Sequence, residues 1–166
     1  YVEGYDLTQL LKRLRERKIA LPAEFGFYTV CEMLRGLDYA HRRRGDNGEP
    51  LGIVHRDVSP SNVLISLEGE VKLCDFGIAR AVSDLSELPE GAMEGKAAYM
   101  SPEHARGERV DARADVFSAT TILWEILSGR RMYRASEGRD VLAVAKAGEV
   151  PPLPTKGLPE YDVIAG

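Results

Sequence analysis

The chain has 166 residues, a length that suits one domain or one large lobe. Its 44% hydrophobic and 29% charged residues are ordinary globular values, and 22 Lys and Arg against 26 Asp and Glu give a net charge of -4, which argues against a nucleic-acid binder. No apolar run approaches the roughly eighteen residues that would span a membrane, and Cys31 and Cys74 fall in no metal or disulfide spacing, which fits a reducing cytoplasm.

The opening YVEGYDL carries no initiator Met and no signal peptide, so the chain reads as an excised piece. Asp6 followed by Gln9 resembles a capping box, and Leu7, Leu10, Leu11 and Leu14 then recur at helical period. The basic residues among them, Lys12, Arg13, Arg15, Arg17 and Lys18, read as a solvated helix face. Pro22 suits the start of a second, long helix whose core stripe is expected at Phe27, Val30, Leu34, Leu37 and His41, with His41 structural.

The stretch 42–52, RRRGDNGEPLG, is a polar, Gly-rich loop with exposed arginines. Three short strands are expected next, at Gly52–His55, Val63–Ser66 and Val71–Cys74, the last two joined by a turn over Leu67–Glu70. Residues 79–94 are polar and aperiodic, and a loop that long inside a compact domain is either functional or evidence against the assignment. Asp111 caps a strongly apolar helix, Ala112–Leu127, ended by Gly129, and Asp140 caps a last helix through Ala147 before a Pro-rich tail. The fold class is therefore mainly α with short β hairpins (α+β).

The chemistry concentrates in GIVHRDVSPSNVLI (52–65), where polar groups sit between two apolar runs. A hairpin after Asn62 would bring its amide beside Asp75. An amide and a carboxylate converging there suit a hard cation such as Mg²⁺ that keeps waters and binds phosphate. Asp57 at the start of the loop could accept a proton from an attacking hydroxyl. Together these groups describe a site for moving a phosphoryl group from a metal-bound nucleotide.

HRDVSPSN resembles the catalytic loop of the eukaryotic-type (Hanks-type) protein kinases, and Asp75-Phe76-Gly77 resembles their metal-binding signature. Ser101-Pro102-Glu103 matches the family's APE position, and Asp115 matches the aspartate that opens the central helix of the lower lobe. The resemblance implies a kinase-like fold of which residues 1–166 cover most of the C-terminal lobe, YVEG being the end of the hinge. It implies ATP and Mg²⁺ as cofactors, a protein substrate, no nucleic-acid partner and no membrane contact from this segment. Asp57 is then the catalytic base, and Asn62 and Asp75 are the metal ligands. Gly77 frees the backbone after Phe76. Leu64 floors the adenine, and His55, Phe76 and Asp115 form the lower part of the hydrophobic column that aligns an active kinase.

The chain departs from the family in ways that shape the expectations. It contains no glycine-rich phosphate loop and no upper-lobe lysine or glutamate, so the fragment alone is expected not to turn over. Glu103 usually pairs with an arginine beyond residue 166, so a buried, widowed carboxylate and marginal stability are expected. Serine/threonine kinases carry a lysine two residues after the catalytic aspartate; here that position is Ser59. Where the family often reads Gly-Thr before the APE block, this chain has Gly95-Lys96. The reading is that Lys96 swings in as the catalytic cation that Ser59 cannot be, the alternative being an exposed loop lysine.

Pro60 and the SPE triplet resemble the serine/threonine branch, and the 42–52 insertion with SPEHARG resembles the bacterial style. Arg56 resembles the arginine that meets an activation-loop phosphate, with Ser83 and Ser86 as candidates and Asp84, Glu87, Glu90 and Glu94 as partial mimics. Cys74 reads as an inert strand cysteine. The alternative to an active serine/threonine kinase is a pseudokinase-like interaction module, against which Asp57, Asn62 and Asp75 count. A small-molecule kinase is disfavoured by the segment Gly95–Glu103.

Overall fold

The computed structural model describes residues 2–76, 95–135 and 139–154. Gly77, Ser83, Asp84, Ser86, Glu87, Glu90 and Glu94 lie outside them. A three-stranded antiparallel sheet runs in the order β1 (Gly4–Asp6), β2 (Val63–Ser66), β3 (Val71–Leu73). Gly4 faces Ser66, Asp6 faces Leu64, and Ile65 faces Val71 across the two pairings. The expected turn joins β2 to β3: Ser66 N–H donates to the Glu70 carbonyl at 2.9 Å, and Gly69 takes φ 88°. β1 was not expected, because three residues carry no period and its partner lies some sixty positions away. Gly4 is required there, since a Cβ would stand 2.0 Å from the Ile65 carbonyl oxygen.

Asp6 closes β1 and caps α1 (Leu7–Glu16), its carboxylate accepting the Gln9 N–H at 2.9 Å. Leu7 and Leu11 are buried as the period requires. Arg15 is exposed with the rest of that basic face, yet its guanidinium also reaches the buried Glu125 carboxylate. Pro22 leads into α2 (Ala23–His41). Its deepest stripe is Gly26, Thr29, Val30, Met33, Leu37 and Ala40, rotated from the expected one so that Gly26 faces the neighbouring helix. A Cβ at Gly26 would meet Ile126 at 3.0 Å, so this crossing selects size more than hydrophobicity.

The 42–52 loop folds on itself, with Gly45 N–H donating to the Glu49 carbonyl at 2.9 Å and Gly48 at φ 80°. The strand expected at Gly52–His55 does not form. The His55 N–H is committed instead to the Asp115 carboxylate at 2.8 Å, which removes it from any ladder. Later come α3 (Pro102–Ala105), α4 (Ala112–Ser128) and α5 (Val141–Ala147). Asp111 and Asp140 cap the last two through the N–H groups of Arg113 and Ala143, and Gly129 and Gly148, both at φ 69°, end them. α4 runs one residue beyond the expected end.

The core gathers Leu7, Leu11, Val30, Met33, Leu37, Val63, Ile122 and Ile126 between the sheet, α2 and α4. Burial of each large aliphatic side chain contributes about 1.5–3 kcal/mol. α4 is buried on most of its circumference, as its apolar sequence anticipated, and it carries two buried acids, Asp115 and Glu125. Those two acids position the site. No described helix is long and apolar enough to cross a membrane.

Candidate active site

Asp115, 1% exposed in the first turn of α4, organises the loop that precedes the 3₁₀ turn Pro60–Asn62. One carboxylate oxygen accepts the Arg56 N–H at 2.8 Å; the other accepts the His55 N–H at 2.8 Å and pairs with His41 Nε2 at 2.7 Å. These bonds hold Arg56 in the left-handed region at φ 64°, a strained conformation for a long side chain. His41 at the end of α2 thus has the structural place expected of it.

His55 is fully buried and connects two segments. Its Nε2 donates to the Cys74 carbonyl at 3.1 Å while its Nδ1 accepts the Asp57 N–H at 3.3 Å, so the ring is the Nε2–H tautomer. The ring also packs on Phe76, centroid to centroid 4.4 Å. His55, Phe76 and Asp115 therefore form one continuous stack from the Asp75-Phe76 segment into α4.

Asn62 lies beside this junction, its Nδ2 donating to the Asp57 carbonyl at 2.8 Å. That bond turns the amide so that Oδ1 remains available as an acceptor. The Asn62 carbonyl accepts the Cys74 N–H at 3.0 Å, so Asp75 follows directly on from the Asn62 pairing. Asp75 is exposed, takes φ 55°, and its carboxylate makes no ion pair with another described residue. An amide oxygen and a carboxylate with no ion-pair partner among the described residues suit a Mg²⁺ that keeps most of its waters and phosphate ligands. No cluster of three or more His, Cys, Asp or Glu forms a richer metal cage among the described residues. Cys74 is held above its ordinary value by burial and then by the Asp75 charge, which disfavours the thiolate.

Asp57 carries an ion pair to Lys96, their side chains 18% and 23% exposed. Ser59 is buried, its hydroxyl paired with that of Ser61 at 3.0 Å. Leu64 is half-buried in the middle strand, opposite Asp6 on one side and Lys72 on the other. Arg56 is exposed. Glu103 is half-buried, not buried, and makes no ion pair with a described residue, so the cost expected of a widowed carboxylate is moderated by water.

Two features of the site went unread in the sequence. Glu125 accepts hydrogen bonds from the Arg15 guanidinium and the Tyr99 hydroxyl, tying α1 and the segment after Lys96 to α4. The readable signal was one acid inside the apolar run ILWEIL (122–127). His104 lines the pocket that holds Asp57 and Lys96. Burial and then the Arg56 charge lower its pKa from 6.5, against the opposing pull of Asp115, Asp57 and Glu103. The folded chain therefore prefers neutral His104, and this stabilisation is complete above the unfolded value and is lost as pH falls through the folded one. Lowering the pH from about 7.5 to about 5.5 is expected to reduce the urea midpoint, and His104→Gln to flatten that dependence. An unchanged slope in the variant would assign the acid sensitivity elsewhere.

The family model described as "Protein kinase domain" matches residues 1–152. This chain belongs to the protein kinase family. The tyrosine-protein kinase MasK of Myxococcus xanthus is 38% identical over 152 residues, covering 92% of this chain and 24% of MasK. The probable serine/threonine-protein kinase PknB of Bifidobacterium longum is 40% identical over 161 residues, 96% of this chain and 21% of that kinase. PknB of Mycobacterium leprae is 42% identical over 130 residues, 78% and 19% of the two chains. The crystal structure of the Mycobacterium tuberculosis PknI kinase domain, C20A mutant, superposes with TM-score 0.67 at 28% identity, over 100% of this chain and 52% of that one. The chain thus spans about a fifth to a quarter of these curated relatives and about half of the solved kinase domain. Enzymes of this family work with ATP and Mg²⁺.

Proposed function

We propose that residues 1–166 form most of the C-terminal lobe of a protein kinase that transfers the γ-phosphoryl group of Mg-ATP to a serine or threonine hydroxyl of a protein. The observation that carries this reading is the loop clamped by Asp115, which presents Asp57 beside Asn62 and next to the Asp75-Phe76 segment. When bound, Mg²⁺ screens the phosphate charge and orients the transferred group. Asp57 orients the acceptor hydroxyl and takes its proton. Asn62 Oδ1 and the Asp75 carboxylate would hold the cation, and Leu64 would offer an apolar strand face to the adenine. His55 and its bonds to Cys74 and Asp57 keep those groups in register, which matters because this chemistry is nearly all positioning and electrostatics.

The serine/threonine assignment rests on Pro60 and Ser101-Pro102-Glu103, and on the names of the two PknB relatives. A tyrosine acceptor is the second reading, carried by the similarity to MasK. Phosphoamino-acid analysis of the full-length protein's products separates the two, and phosphoserine or phosphothreonine is expected. In the same assay Asp57→Asn is expected to lower kcat by about 10²–10⁴-fold, the usual share of a positioned base. Nucleotide binding with no transfer by the unaltered protein would move the reading to a pseudokinase-like module.

A further inference from the structure

Resting on that reading, the geometry points to a relocated catalytic cation: we propose that the Lys96 ammonium contacts the phosphoryl group while it is transferred, bridging it to Asp57. Lys96 is paired with Asp57 and three-quarters buried, so the picture of an exposed loop lysine does not describe it. Its backbone is fixed as well. The Lys96 carbonyl accepts the Tyr99 N–H at 3.1 Å, and the next five residues, Ala97 to Ser101, are all buried. Two residues beyond Asp57 stands the uncharged Ser59, buried and with its hydroxyl paired to that of Ser61, so it supplies no cation beside Asp57. Among the described residues, the ion pair Asp57 makes is the one to Lys96.

An ammonium has three donor hydrogens and no preferred plane, so one can stay on Asp57 while another meets a phosphoryl oxygen. During transfer the acceptor oxygen forms its new P–O bond as the bond from the γ-phosphorus to the bridging oxygen breaks. That electron pair leaves on ADP, the hydroxyl proton passes to Asp57, and Lys96 keeps all three of its protons. Its charge stabilises what develops on the transferred oxygens, the role of a preorganised donor in a partly dry site. Because Lys96 belongs to the segment leading into Ser101-Pro102-Glu103, the arrangement of that segment then governs catalysis directly.

The test measures Mg-ATP transfer by the full-length protein to itself and to myelin basic protein. Lys96→Met is expected to lower kcat by about 10²–10³-fold, as loss of one preorganised donor does, with KM for ATP changing by less than about threefold. Lys96→Arg keeps the charge and is expected to retain at least about tenfold more kcat than Lys96→Met. The exchange Ser59→Lys with Lys96→Thr, which returns the cation to the loop, is expected to recover part of the loss. Wild-type kcat in Lys96→Met, or equal losses in the Met and Arg variants, would overturn the proposal. Asp57→Asn run alongside separates the failures. An inactive Asp57→Asn beside an active Lys96→Met removes only the role of Lys96, activity in both removes the role of Asp57 as base as well, and no transfer by the unaltered protein removes the kinase reading itself.

Discussion

Asp115→Ala in the full-length protein is expected to lower stability by about 3–5 kcal/mol and to release the loop that carries Asp57. The lost carboxylate is 1% exposed and serves three donors from two segments: the N–H groups of His55 and Arg56, and His41 Nε2. Each buried donor left without an acceptor costs about 1–3 kcal/mol. The Arg56 bond also holds φ 64°, which relaxes at a gain of about 1–2 kcal/mol once that bond is gone, so the loop would move instead of keeping its shape around the hole. Asp115→Asn keeps one acceptor oxygen and is expected to cost less, about 1–3 kcal/mol. Urea denaturation measures the loss. Hydrogen exchange localises it, because the His55 and Arg56 amides should lose protection well before those of α2. Amides that stay protected in Asp115→Ala would show that the loop is held by other means.

The parts of this molecule that the sequence made legible share a physical cause: they depend on neighbours along the chain. Caps at Asp6, Asp111 and Asp140, the stop at Gly129, and the turn at Gly69 all act within a few residues, and all appear where the residue types put them. The resemblance marks the candidate site for the same reason, because HRDVSPSN and Asp75-Phe76-Gly77 carry their order and spacing on the chain itself. What could not be read is set by distant partners. β1 exists because Ile65 and its neighbours offer it an edge, and the stripe on α2 turns because Ile126 comes close at Gly26. The strand expected at Gly52–His55 gives way because a carboxylate 60 residues on takes its N–H. Arg15 looked like one more charge on a basic face, and only its pairing with Glu125 distinguishes it from Arg17.

That pairing leads to the second large effect. Glu125→Ala is expected to lower stability by about 2–4 kcal/mol, since it leaves the buried Tyr99 hydroxyl without its acceptor and the Arg15 guanidinium without its anion. Arg15→Ala should cost less, about 1 kcal/mol, because the Arg15 side chain is 45% exposed and water takes over part of its role. The consequence for the site follows from Tyr99, whose N–H bonds the Lys96 carbonyl while its hydroxyl is anchored on Glu125. α4 therefore holds both arms of the site, the Asp57 loop through Asp115 in its first turn and the Lys96 segment through Glu125 near its end. Freed from Glu125, Tyr99 no longer fixes the backbone from which Lys96 reaches Asp57. Alkaline titration gives an independent check on this anchor. Burial, then the Glu125 charge and hydrogen bond, push the Tyr99 hydroxyl far above its ordinary value of 10.0. The folded chain keeps that proton while the unfolded chain releases it, so the stabilisation is complete below about pH 10 and declines as pH rises beyond it. Thermal melts between about pH 8 and 11 should show this decline, and Tyr99→Phe, which has no proton to lose, should blunt it. If the two curves fall in parallel, the Tyr99 hydroxyl is not the group whose ionisation the fold resists, and the link from Glu125 to Lys96 loses its support.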